Sequence, residues 1–272
     1  MTSEPTTTEL LTAVLASPRA VAAHDRAAWV GLFTDDAVVN DPVGASPHTG
    51  TAAIERFYDT FIAPNSIAFD VEHDFAGPGT ILRDLAIEIT MSTGATVRVP
   101  MHLRYELAGT DRGLRIAYLA AHWELPAMIA RLLGTGPRGL GAGAKLGGLL
   151  IRNQGVGGLT GMARACTGVG GRGKRVAGAL FAAASAGNTG AVTQLLGGRG
   201  IELVPGGSVP VEEFVGRARG LRQGKTIAAG RTVTASIEFE QGPAVAVIDF
   251  APDAIRVETF RVFAETVAVP PE

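Results

Sequence analysis

Of the chain's 272 residues only one is a cysteine, Cys166, which excludes an intrachain disulfide and any multi-cysteine metal site. Aromatic residues are scarce at 6%, so the lining of any apolar cavity is expected to be mainly aliphatic. Charged residues make up 18% and the net charge is −2, which offers no whole-chain attraction for nucleic acid. The opening run, MTSEPTTTELLTAVLASPRAV, lacks the basic start and long apolar stretch of a signal peptide. A cytoplasmic protein is therefore expected. The five histidines, His24, His48, His73, His102 and His122, never fall at HxxxH or HExxH spacing, so no metal is expected. The glycine-rich string GVGGRGKR (168–175) has the wrong spacing for a phosphate-binding loop, and no dinucleotide-binding fingerprint precedes a helix. No cofactor is expected.

What is present is apolar. Hydrophobic residues reach 46% and the mean hydropathy is +0.23, which excludes a disordered chain and suits about two domains. Charge is unevenly spread. Between Leu125 and Ile201 there is no Asp or Glu, while nine cations occur, and 15 glycines fall between Gly134 and Gly173. Composition thus separates residues 1–126, a glycine-rich basic connector at 127–175, and residues 176–272.

Both outer parts read alike. In the first, helical patterns around Leu10–Val21 and 26–33 precede a short strand at 37–40, stopped by Pro42. A helix at 51–61 follows, and then strands at about 67–75, 80–90, 95–107 and 113–124. In the second, helices at 176–186 and 189–196 lead to a strand at 200–204, a helix at 210–219 and four more strands. This order predicts an α+β fold in two tandem copies, helices on one face of a curved sheet. The 23 residues 176–198 carry no charge until Arg199, but Ser185, Asn188, Thr189, Thr193 and Gln194 favour a soluble helix pair over a membrane span.

The most informative run is LFTDDAVVNDPVGASPHTGTAAIERFY, Leu32–Tyr58. Its acidic pair, its short strand ending in Asp-Pro-Val-Gly and its Gly-Thr-Ala-Ala-Ile helix ending in Phe-Tyr resemble the steroid Δ-isomerases (ketosteroid isomerases) of the NTF2-like/SnoaL-like superfamily. The resemblance extends to Trp123. It implies a cone-shaped fold with an apolar pocket and a cofactor-independent isomerase, in which a carboxylate base moves a proton along a hydrophobic ketone. Asp41 falls on that base. Standing alone, it reads as a turn residue before Pro42; the surrounding block favours the base. Tyr58 matches a supporting tyrosine, and Phe33, Val39, Phe57, Met101 and Trp123 are expected to line the pocket.

Two family donors are replaced. Ser17 stands where the family has a tyrosine, and His102 where it has a protonated Asp; His102 reads either as a substitute donor or as a core histidine. These changes leave open an epoxide hydrolase or cyclase with a second acid among Glu72, Asp74 and Glu88, or a non-catalytic sterol or polyketide binder. In the second copy Val204 aligns with Asp41, and Asp249 lies near the place of the protonated Asp, so that copy is expected to be degenerate. The family's habit of pairing through its sheets implies a pseudo-dimer within the chain. In the connector, Arg131, Arg138, Lys145 and Arg152 recur every seven residues among leucines and so share a helix face. Residues 131–165 therefore read as a stripe packed on one domain or as a peripheral membrane contact.

Overall fold

The computed structural model describes residues 4–265. Two compact units emerge, one of residues up to Glu72 with Gly79–Cys166, the other of His73–Pro78 with the residues from Thr167 onward.

The first unit opens with α1 (Thr7–Ala22), started by a capping box in which Thr6 and Glu9 satisfy each other's backbone amides. Leu10, Leu11, Val14 and Val21 are spaced to share one face, and all are buried. Helix α2 (Arg26–Val30), capped by Asp25, carries the buried Trp29. Strand β1 (Phe33–Asn40) is followed by β2 (His48–Thr49), α3 (Thr51–Phe57) and a π-helical turn at Tyr58–Ile62. Four long strands, β3 (Asn65–Gly77), β4 (Thr80–Met91), β5 (Thr96–Thr110) and β6 (Gly113–His122), complete a six-stranded sheet of order β2-β1-β6-β5-β4-β3.

That sheet is mixed. β1 runs parallel to β6, with Asn40 beside Ala120. The chain leaves β1, passes through helix and hairpins, and re-enters next to it from the same end, which forces the parallel pair. The strand also begins at Phe33, four residues before the apolar alternation becomes legible, because Asp35 and Asp36 occupy its exposed stretch.

Helices α4 (Leu125–Gly134) and α5 (Pro137–Ala163) belong to the same unit. α5 contains nine glycines and is interrupted at Gly155, whose φ of 68° no L-residue adopts easily. It is pinned by Asn153, whose amide donates to Thr60 Oγ1 at 3.1 Å, and by Gly161, where a Cβ would meet Ser46 Oγ at 2.9 Å.

The second unit repeats the plan. α6 (Gly170–Ser185) and α7 (Thr189–Leu196) precede β7 (Ile201–Val204), β8 (Gly207–Val209), α8 (Val211–Arg217) and strands β9 (Arg222–Ala229), β10 (Thr232–Phe239), β11 (Gly242–Phe250) and β12 (Val257–Phe263). Its strand order, β8-β7-β12-β11-β10-β9, matches the first sheet position by position, including the parallel pair β7·β12. The chain is a tandem of two α+β domains.

Candidate active site

β1 ends where Pro42, lacking an N–H, cannot continue the ladder. Because β1 and β6 are parallel, the residues leaving both strands emerge at the same end of the sheet. Asp41 and Trp123 meet there, and Trp123 Nε1 donates to Asp41 Oδ1 at 2.6 Å. Asp41 faces a cavity of about 440 Å³ between the sheet and the helices. Asp41 is half-buried, with protein packed closely around its carboxylate. Burial pushes its pKa up from the ordinary 3.8 to about 6, against the lowering effect of the Trp123 bond.

The cavity's inner wall is read from β5. Val99, Met101, Leu103 and Tyr105 alternate toward it, and Ile87 and Ile89 of the neighbouring strand join them. Its roof comes from α4 and α5, through Met128, Leu132, Leu146 and Leu150. A largely apolar chamber of this size, aliphatic along the sheet and roof with aromatic rings such as Trp29, Phe57 and Trp123 beside the one carboxylate, has the usual features of a small-molecule site.

Residues 14–117 match the family model for the SnoaL-like domain. The chain is 32% identical to the Δ5-3-ketosteroid isomerase from Mycobacterium sp., over 44% of this chain and 96% of that one, with a TM-score of 0.41. Through its first domain, the chain belongs to the SnoaL-like family. A Mycobacterium tuberculosis protein solved in complex with estradiol-17β-hemisuccinate is 31% identical over 43% of this chain and 95% of its own, TM-score 0.40. An epoxide hydrolase from M. tuberculosis is 22% identical over 51% and 96%, TM-score 0.41.

Within the SnoaL-like domain, Ser17, Phe57, Met101 and Trp123 line the cavity with Asp41. Phe33 and Val39 do not. Phe33 packs behind the wall, its ring 4.7 Å from Trp29, and Val39 is fully buried in β1. Tyr58 is also buried outside the lining, its ring 5.6 Å from Trp29. Burial, then the nearby Asp25 and Asp59, hold its pKa above the ordinary tyrosine value.

Of its two readings, His102 takes that of a core histidine and not of a substitute donor. Strand parity sends Met101 and Leu103 into the cavity and therefore His102 to the opposite face of the sheet. There it is fully buried, and its Nε2 lies 3.4 Å from Asp84 Oδ1, the residue paired with it across β4 and β5. It is a core histidine and does not face the ligand space.

Ser17 gains a role that its length alone did not suggest. Its oxygen accepts from Trp29 Nε1 at 3.1 Å, which leaves the hydroxyl proton for a second partner, and the residue borders the cavity. Trp29 itself lines the chamber, as do α4 and α5; the leucines between the seven-spaced cations carried that signal.

Asp41 also borders a second cavity of about 220 Å³, lined among others by Ser46, His48, Arg56 and Gln154. Burial and then the charge of Arg56 hold the His48 pKa below its ordinary value, so its imidazole is neutral at pH 7. The carboxylate thus stands between an apolar chamber and a more polar one.

Proposed function

We propose that the SnoaL-like domain is a cofactor-independent isomerase that moves a double bond by proton transfer on a hydrophobic, steroid-like ketone. The observation that carries this reading is the single carboxylate in the wall of an apolar cavity, with a pKa near 6. At neutral pH it is ionised and basic enough to act. Asp41 takes the proton from the carbon between the ketone and the double bond. The electrons shift into the dienolate, and the carboxyl returns the proton at the far end of the conjugated system. The Ser17 hydroxyl, with that of Tyr105, is a cavity-lining donor suited to the developing oxyanion. Neither family donor is kept at its own position, and each is ordinarily worth about 10²–10³ in rate, so turnover is expected to be slower than in the family's fast isomerases.

Ultraviolet detection of the conjugated enone formed from a Δ5-3-ketosteroid tests this. Asp41→Asn is expected to lose about 10³-fold or more in kcat. Wild-type kcat/KM is expected to rise with pH through about 6, as the free carboxyl ionises, and then to level off. Equal rates for wild type and Asp41→Asn would end the assignment.

The second, polar cavity favours one other reading. Water held beside Ser46 and Gln154 would reach Asp41 directly, as an epoxide hydrolase requires. Oxygen-18 from solvent appearing in a diol, with no enone from the ketosteroid, would select that chemistry.

A further inference from the structure

The large apolar side chains left exposed among the described residues are Ile129, Leu133, Leu140 and Ile151, at 41%, 50%, 63% and 52% exposure. All four lie on α4 and α5. Scattered single apolar residues on a surface mean little, but their confinement to one helix pair does not fit that pattern. Ile129 and Leu133 are one turn apart on α4. Leu140 and Ile151, eleven residues apart on α5, return to within about 20° of the same direction at 100° per residue.

The charge of the pair is of one sign. Arg131, Arg138, Lys145 and Arg152 are exposed, and neither helix contains an acidic residue. Among the described residues none of the four is paired with a carboxylate: Arg131 reaches the Arg98 carbonyl at 3.5 Å, and Lys145 the Ser92 hydroxyl at 3.3 Å. Between cations and leucines the exposed surface of α5 holds Ala144 and Gly148, so nothing bulky or anionic interrupts it.

We propose that α4 and α5 form a docking surface for an anionic phospholipid bilayer. Aliphatic side chains enter the headgroup boundary while the flanking cations stay at the phosphates, the arrangement of an interfacial helix. A second copy of the chain fits less well, because it would bring four more unpaired cations against these four. Nucleic acid would satisfy the charge but not the exposed leucines and isoleucines. No helix among the described residues is long and apolar enough to cross a membrane, and the proposal is of contact with the surface. Ile129 and Leu133 also line the 440 Å³ cavity, so the docked face is the cavity's own roof. Docking does not depend on the proposed reaction, and its test reads binding alone.

The test is co-sedimentation of the full chain with vesicles of phosphatidylcholine containing about 30% phosphatidylglycerol, compared with phosphatidylcholine alone. Binding is expected to the anionic vesicles, weaker to the neutral ones and weakened by salt. Leu140→Ser with Ile151→Ser, neither in the cavity lining, is expected to lower the partition coefficient at least tenfold. Arg131→Gln, Arg138→Gln and Arg152→Gln are expected to lower it about fivefold each. Far-ultraviolet circular dichroism and Trp29/Trp123 fluorescence check that each variant is folded, and the charge variants stand alone if the apolar pair is not. Failure to sediment with anionic vesicles at low salt overturns the proposal, as does equal binding to both compositions. Self-association in ultracentrifugation, lost in Leu140→Ser/Ile151→Ser and unaccompanied by lipid binding, would instead assign the face to a second copy.

Discussion

The two domains share a strand order yet use the space inside it differently. In the first, the face of β5 looks onto a chamber of about 440 Å³, and Asp41 stands in its wall. In the second, α6, α8 and the sheet meet in a continuous apolar cluster. Phe214 and Phe260 lie 5.3 Å apart between ring centres, and Phe181 packs on Phe260 from 6.4 Å. The strand that ends in Asp41-Pro42 in one domain ends in Val204-Pro205 in the other. The domain with the carboxylate has the cavity and the domain with Val204 has the apolar cluster: burying an apolar residue is favourable, whereas desolvating a carboxylate is costly.

The sharpest way to break this contrast is to truncate one aromatic on each side. Phe260→Ala opens a hole in a filled core and is expected to cost about 3–5 kcal/mol. Phe61→Ala removes a ring that already faces both cavities of the first domain, and about 1–2 kcal/mol is expected because fewer packing contacts are lost. Both tryptophans, Trp29 and Trp123, belong to the first domain, so their fluorescence follows that domain during denaturation while circular dichroism follows both. Equal losses for the two variants would mean that the hollow and filled interiors are equivalent in energy.

Much of this was legible in advance, for identifiable reasons. The tandem α+β order followed from apolar periodicity that switches from helical to alternating in both halves, and the Asp-Pro-Val-Gly block singled out Asp41 in its loop. The parallel placement of β1 against β6 was not legible, since pairing direction depends on where the chain re-enters the sheet and leaves no local pattern. His102 shows a related limit. A motif count set it at the donor's place, but one step of strand parity decides the face, and a count along the chain does not fix that parity. The apolar stripe of 131–165 was legible as one packed on a domain, but its place as the roof of the first domain's cavity was not, because nine glycines in α5 weaken the helical signal and the partner surface is distant in sequence.

The pH dependence of stability separates the two domains' carboxylates, Asp41 and Asp249. Asp41 has a folded pKa near 6 against an ordinary 3.8, so the native state holds its proton more tightly than the unfolded chain does. Its contribution to stability is therefore fully present below about pH 4 and is lost as pH rises through 6. At pH 7.5 the penalty is about 3 kcal/mol, and Asp41→Asn should recover up to that amount there and almost nothing at pH 4. Asp249 has the opposite sign. Burial pushes its pKa up, but hydrogen bonds from the Thr259 and Thr232 hydroxyls, with Arg261 at 3.0 Å, outweigh burial and hold it below the ordinary value. Its contribution is present above the unfolded pKa and is lost as pH falls through the folded one. Asp249→Asn should then cost about 1–2 kcal/mol at pH 7.5, since the side chain is one-third exposed, and less in acid. Denaturation midpoints of the two variants across pH 4–8 should move in opposite directions from wild type. If Asp41→Asn were destabilising at pH 7.5, the carboxylate would be supported as Asp249 is, and the first domain would lose the feature that distinguishes it.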